Sequence, residues 1–407
     1  MINCSRQQHL SVALQASKVS NYGTTPSSSC RKVLISHRTS SHSSPPYDIP
    51  LPPGMTSILD APGVSPPNPF SQLMQHVCAP THSSGLFEET ATSIVTAVIT
   101  STAPGNTLWQ VWDAFFTAVV APVSDHTRLL ALLEALRAQP STSIRPGSSA
   151  ARSLRSHIGT DGKLHWVMLP GFGTQWFDTN SILGEWRDWD GVRVSKTGDH
   201  CTVTSTLSSS GTDMYLRLTD FSAAALKKAG NKAEIHPINV FYACKNVLEC
   251  NNSQVSDRRP HRISAEQKRR LDIRVAATWL RDGSRHLAEI EPAELREHWA
   301  AALDEKTELW PREDGLTQER WKLWVDRLKA LSAGEGVLDK ETKKIAAQAV
   351  DVVCNLHKIT RGAVAQTATL APWNYYVPYY KYPQLKQPFG VQSKMIYSCF
   401  PEFPATT

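Results

Sequence analysis

Apolar residues recur along the middle of this chain at the three-to-four spacing of amphipathic helices, and that spacing disappears at both ends. The densest stretch runs from Asn106 to Pro140. Leu108, Val111, Trp112, Phe115, Phe116 and Val119 fall on one broad helical face, and Pro122 stops the helix. Ser124 is placed to cap the next helix, Asp125 adds favourable charge to its first turn, and Leu129, Leu130, Leu132, Leu133 and Leu136 form its apolar face. The pair reads as a helical hairpin whose two faces must be buried against other elements. Its expected complement is the helix that carries Trp321 and Trp324.

Upstream, periodicity starts at Pro69-Phe70 and continues through Phe87, Ala91, Ile94 and Val98, where four-then-three spacing favours helix over strand despite the β-branched residues. Residues 141–162 are rich in Ser, Gly, Pro and Arg and read as a linker, and residues 195–213 read as an insertion or loop. Thr219 is placed to cap a helix carrying Phe221, Ala225 and Leu226 and ending at Gly230; Pro237 opens another through Leu248. Ser264 and Gln267 make a capping box for a Leu271, Val275, Trp279 stripe ending at Gly283, and Pro292 starts a helix with Leu295, Trp299 and Leu303. Leu316 to Leu331 places Trp321, Trp324, Val325 and Leu328 on one face with Glu319, Lys322, Asp326 and Lys329 opposite. Asp339 caps a last helix, Lys340 to Leu356. The fold expected is all-α: an irregular array of about eight helices over residues 69–357, with helical hairpins packed as a bundle or a short solenoid-like stack.

Composition changes the picture at the ends. Residues 1–66 are Ser-, Thr- and Pro-rich with no acidic residue before Asp48, and residues 358–407 are Pro- and Tyr-rich; both are expected to be disordered tails. The formal net charge is +6. Residues 1–66 hold five Lys/Arg against two Asp/Glu and residues 358–407 five against one, so the ends carry +3 and +4 and the stretch between them −1. A nearly neutral body has no electrostatic footprint for nucleic acid. Eight cysteines show no metal-ligand or disulfide spacing, which suits a reducing compartment, and no apolar run is long enough to span a membrane. The location expected is cytoplasmic. The acid-free N-terminus offers a mitochondrial alternative, and the basic run at 258–270 a nuclear one.

Gly171-Phe172-Gly173 lacks the third glycine of a dinucleotide loop and reads as a tight turn; Gly-Lys-Ser/Thr, Gly-x-Ser-x-Gly and His-Glu-x-x-His do not occur. Glu294, Glu297 and His298, or His286 and Glu289, have chelating spacing, but Arg285 and Arg296 nearby favour a solvated charged face. His126 beside Asp125 could be a base and its orienter; an exposed first-turn pair is the plainer reading. Arg258, Arg259, His261, Arg262, Lys268, Arg269, Arg270 and Arg274 form a dense basic run, partly neutralised by Asp257, Glu266 and Asp272 and without aromatic stacking partners. Four tryptophans crowd residues 166–189. Trp166, Trp176, Trp186 and Trp189 with Arg187 and Asp188 could line a small-molecule pocket, against the alternative of core packing.

Several motifs together resemble a known family. Trp109-x-x-Trp112-x-Ala114-Phe115-Phe116, His126-x-Arg128-Leu129-Leu130 leading into Ala135 to Pro140, Leu169-Pro170, Glu319-Arg320-Trp321-x-x-Trp324-x-x-Arg327-Leu328 and Leu338-Asp339-x-Glu341-Thr342 occur in that order. They resemble an uncharacterised helical family of filamentous-fungal proteins catalogued only as a domain of unknown function, over roughly residues 85–357, with 195–215 as an insertion. The resemblance implies no activity, cofactor or catalytic residue. The function expected is therefore that of a non-enzymatic interaction or scaffold protein, with its partner, another protein, in a groove between helices. The alternative is a small-molecule binder or enzyme using residues 166–190, and the third is nucleic-acid contact through residues 258–274. No cofactor or metal is expected.

Overall fold

A computed structural model describes residues 68–80, 85–188, 210–230, 234–251, 262–334 and 338–364. The expected tail over 1–66, residues 365–407 of the expected tail over 358–407, most of the 195–213 insertion, Trp189, and Arg258, Arg259 and His261 lie outside the described residues; residues 358–364 are not tail but continue the last helix, which meets no proline before Pro372. Twelve α-helices are found among them: α1 (Ser71–Cys78), α2 (Leu86–Thr100), α3 (Pro104–Val120), α4 (His126–Arg137), α5 (Ser149–Ser153), α6 (Phe172–Trp186), α7 (Gly211–Ala229), α8 (Ile238–Leu248), α9 (Ala265–Ala288), α10 (Pro292–Leu303), α11 (Gln318–Ala333) and α12 (Lys340–Val364). The all-α expectation stands. The count exceeds eight because the upstream periodicity divides into α1 and α2, because α6 forms in the tryptophan-rich stretch where no helix is expected, and because residues 141–162 are folded rather than a linker. There, β1 (Thr142–Ser143) pairs antiparallel with β2 (Lys163–Leu164), α5 lies between them, and Leu154 and Leu164 are buried.

Two helices organise the packing. α3 is flanked by α1, α2, α6 and α7, while α9 is flanked by α7, α8 and α12, with α11 covering α8 and α12. α7 is thus the element that both centres share. The complement of α3 is α6 and α7, not α11. Trp112 and Phe115 meet Phe172 edge-on at 5.2 and 6.0 Å, and Phe115 meets Phe221 at 5.6 Å. The indole of Trp112 donates to Pro170 O at 2.7 Å, so burying this polar ring leaves no donor unpaired. Trp324 of α11 packs instead on Phe241 of α8, with ring centroids 6.0 Å apart.

Local chemistry sets the helix ends, with four departures from expectation. Asp125, not Ser124, caps α4: its Oδ1 accepts from the amides of Thr127 and Arg128, whereas Ser124 Oγ is buried without a protein partner. His126 is half-buried, with Nε2 3.0 Å from Val119 O, so it closes the end of α3 rather than standing exposed. α7 begins at the Ser210 cap, nine residues before Thr219, whose hydroxyl donates back to Tyr215 O inside the helix. The fourth departure is Gly283, which does not end α9. A Cβ there would lie 2.6 Å from Val240 Cγ2 and 2.8 Å from Leu226 Cδ2, so this glycine lets α7 and α8 approach the middle of α9. The Ser264/Gln267 capping box and the Asp339 cap form as expected.

Candidate functional site

The residues proposed for a Trp-lined pocket are distributed over different parts of the fold. Trp166, in a 3-10 turn over Trp166–Met168, is fully buried and donates to Thr142 Oγ1 at 3.2 Å; Trp176 of α6 is buried and donates to Ser222 Oγ of α7 at 2.8 Å. Both indoles are core residues with their single donor satisfied. Trp186, the last residue of α6, is half-buried against the core, and its carbonyl approaches α7 so closely that a Cβ on Gly211 would stand 2.5 Å from that oxygen.

Arg187 and Asp188, which follow directly, leave the tryptophans and join α9. Arg187 donates to Asp272 Oδ1 at 2.6 Å and lies over the Tyr215 ring at 5.0 Å. Asp188 Oδ2 accepts from Lys268 Nζ at 2.7 Å, stands 3.7 Å from Arg262, and the Asp188 carbonyl accepts the amide of Ile263 at 3.0 Å. Burial pushes the Asp272 carboxyl and the Tyr215 phenol above their ordinary ranges. The cluster fastens the C-terminus of α6 to α9, and it uses the basic run to do so. Lys268 and Arg262 answer Asp188, and Arg270 pairs with Glu266 one turn back. Three of the run's five described members are thus paired within the protein, while Arg269 and Arg274 are not paired with any described residue.

Beside this cluster is a cleft of about 280 Å³ where three elements converge. The first turn of α7 contributes Ser210 and Thr212, α9 contributes Gln267, Arg270, Leu271 and Arg274, and the first turn of α12 contributes Asp339 and Thr342; Leu216 and Ile263 complete the apolar wall. Thr212 Oγ1 donates to Arg187 O at 2.8 Å, which joins the cleft wall to the ion cluster behind it. Asp339 is occupied as a cap, accepting from the amide and hydroxyl of Thr342 at 2.8 and 2.9 Å. Arg274 differs from Lys268 and Arg270 and shares its state with Arg269, which does not line the cleft. Among the described residues Arg274 donates no hydrogen bond and forms no ion pair within 4.0 Å, and its Nε is buried without a protein partner. Sequence reasoning placed Arg274 in a basic patch and missed the cleft, because α12 and α7 reach it from 65 residues after and 62 before.

A second polar centre is closed. Glu249 and Arg320 are both fully buried and paired in bidentate fashion, Nε to Oε1 at 2.7 Å and Nη2 to Oε2 at 2.9 Å. Trp324 Nε1 and Thr307 Oγ1 donate to the same carboxylate at 2.8 and 2.9 Å, and Arg320 Nη1 reaches the carbonyls of Leu303 and Gly315. No face of this pair is open to a ligand. Its signal in the sequence was Arg320 four residues before Trp324, a charge on a core face. Among the described residues no three His, Cys, Asp or Glu side chains are placed to hold a metal, and His286 stands 3.3 Å from Glu289 instead. No described helix is long and apolar enough to cross a membrane.

The fold and cleft together define a helical protein built around two packed centres, with one polar-walled cleft at the second. Residues 112–328 match the family model described as "Protein of unknown function (DUF3632)", and the chain belongs to that family. The matched span starts within α3 and ends within α11, so it includes the α7 and α9 walls of the cleft and the Glu249–Arg320 pair, but not the α12 wall. No curated protein and no solved structure matches the chain.

Proposed function

We propose that this protein binds a small molecule without transforming it, in the cleft between α7, α9 and α12. The observation that carries the reading is the cleft itself: about 280 Å³, near the lower end of the ~300–1,000 Å³ that ligand sites span, with an apolar wall and a few convergent polar groups. The carboxylates around it are engaged, Asp188 by Lys268, Asp272 by Arg187, Glu266 by Arg270 and Asp339 by its own helix, which leaves none poised as a general base. The test is a thermal-shift screen of metabolites on the full chain. A ligand at 100 times its Kd adds about 2.7 kcal/mol of stability by mass action. Ile263→Trp, which fills the cleft from its rim, is expected to abolish the shift; a ligand whose effect survives that substitution binds elsewhere.

A second reading, a protein-interaction surface, is favoured by Trp109, Val167 and Phe177, which expose 39, 52 and 38 % of their surface. A Trp109→Ser, Phe177→Ser variant that melts like the parent yet loses a partner would support it.

A further inference from the structure

We propose that the ligand of this cleft carries a phosphoryl group or a similarly compact polyvalent anion, held by Arg274 with Arg270 beside it; this rests on the reading of the cleft as a small-molecule site. Arg274 supplies the main observation. A half-buried guanidinium carries a charge that is costly to desolvate unless a partner compensates it, and the other cations of α9 nearest the cleft, Lys268 and Arg270, have such a partner. Among the described residues Arg274 has none; Arg269 has none either, but it does not line the cleft. Asp220 on one side and Asp339 on the other lie near enough to feel its charge, but neither comes within ion-pair distance, and its buried Nε has no protein acceptor. Its planar fork is suited to a two-oxygen acceptor entering the cleft.

The surroundings add donors rather than acceptors. Ser210 and Thr212 put the first turn of α7 on one wall, and Thr342 puts the first turn of α12 on another, so the N-termini of two helices border the space that the guanidinium lines. Gln267 commits its Oε1 to the Ser264 amide and keeps its NH2 group as a donor. Asp339 is the one carboxylate in the lining, and its two oxygens already accept from Thr342. Arg270 shares its charge with Glu266 on the exposed side of α9, which makes it the second contact rather than the first. The volume suits a compact phosphorylated molecule and excludes a helix or a strand as occupant.

The experiment uses the full chain and inorganic pyrophosphate, with sodium chloride matched in ionic strength, read by thermal shift and calorimetric titration. Pyrophosphate is expected to bind and to raise the melting temperature beyond the salt control. Arg274→Gln should weaken it roughly tenfold or more, Arg274→Lys should recover part of that loss, and Ile263→Trp should abolish binding. Melting of each unliganded variant separates lost binding from lost folding. If a neutral metabolite stabilises the protein through the cleft while pyrophosphate does no more than chloride, the anion inference is overturned and the cleft reading survives. If pyrophosphate binds equally to Arg274→Gln and Ile263→Trp, the anion is held elsewhere and the inference is likewise overturned. If nothing binds that Ile263→Trp can displace, both fail.

Discussion

Arg320 keeps a charge at a position with no solvent exposure because four of its five N–H groups reach acceptors and the guanidinium lies over the Phe241 ring at 4.7 Å. Such a pair adds little over a well-packed apolar replacement, but removing one member leaves the other charged and uncompensated. Arg320→Met is therefore expected to cost about 3–5 kcal/mol in urea unfolding, and adding Glu249→Leu should recover part of that loss. A single variant costing under about 1 kcal/mol would refute the pairing. Glu234 and His236, two residues apart, make a pH prediction. Burial raises the Glu234 carboxyl to about 7, and burial with His298 nearby lowers His236 to about 4. The glutamate stabilises the fold below its unfolded value of 4.5 and loses that contribution as pH climbs through 7; the histidine stabilises above 6.5 and loses it as pH falls through 4. Between pH 4.5 and 6.5 the two slopes oppose each other. Glu234→Gln should expose the histidine's slope, a rise of about 3 kcal/mol across that window relative to the parent, measured by urea unfolding at each pH. Only Arg320's place on a core face was legible beforehand: its partner Glu249 lies 71 residues away, and a carboxyl's titration follows from burial that spacing along the chain does not encode.

Helices were legible where cap and stripe agreed. The Ser264/Gln267 box marks the start of α9 and Asp339 that of α12, because a cap is a local exchange between a side chain and amides three residues away. Gly283 was misread because a glycine after an apolar stripe usually marks a helix end, and only the neighbours reveal the other reason for having no Cβ. That reason is testable by comparison with Gly184 of α6, where a Cβ would meet nothing within 4 Å. Gly184→Ala should stabilise by about 0.5–1 kcal/mol through backbone entropy alone. Gly283→Ala gains the same entropy but drives a methyl into Val240 and Leu226, and overpacking of about 1–3 kcal/mol should make the net effect destabilising. Parallel urea unfolding of the two variants decides it, and two stabilising glycine replacements would mean that α9 is not closely packed at its middle.

At the scale of the molecule, the apolar pattern announced that the middle of the chain folds, and its near-neutral charge fits a body in which several basic residues of the run at 258–274 are paired internally. Which helices meet was not written there: α3 and α11 look complementary in composition, yet α3 found Phe172 and Phe221 while α11 found Phe241 and Glu249. The observed arrangement makes α7 the shared element, touching α3 and α6 on one side and α9 on the other. Loss of either centre should then strip α7 of half its burial and take the other centre with it. Trp112→Ala, which removes a buried aromatic from the first centre, is expected to cost about 3–5 kcal/mol. Its unfolding, followed by tryptophan fluorescence and by far-ultraviolet circular dichroism, should remain one transition with coincident midpoints, as should that of Arg320→Met in the second centre. Two separated transitions in either variant would mean that the halves fold independently and that α7 belongs to only one of them.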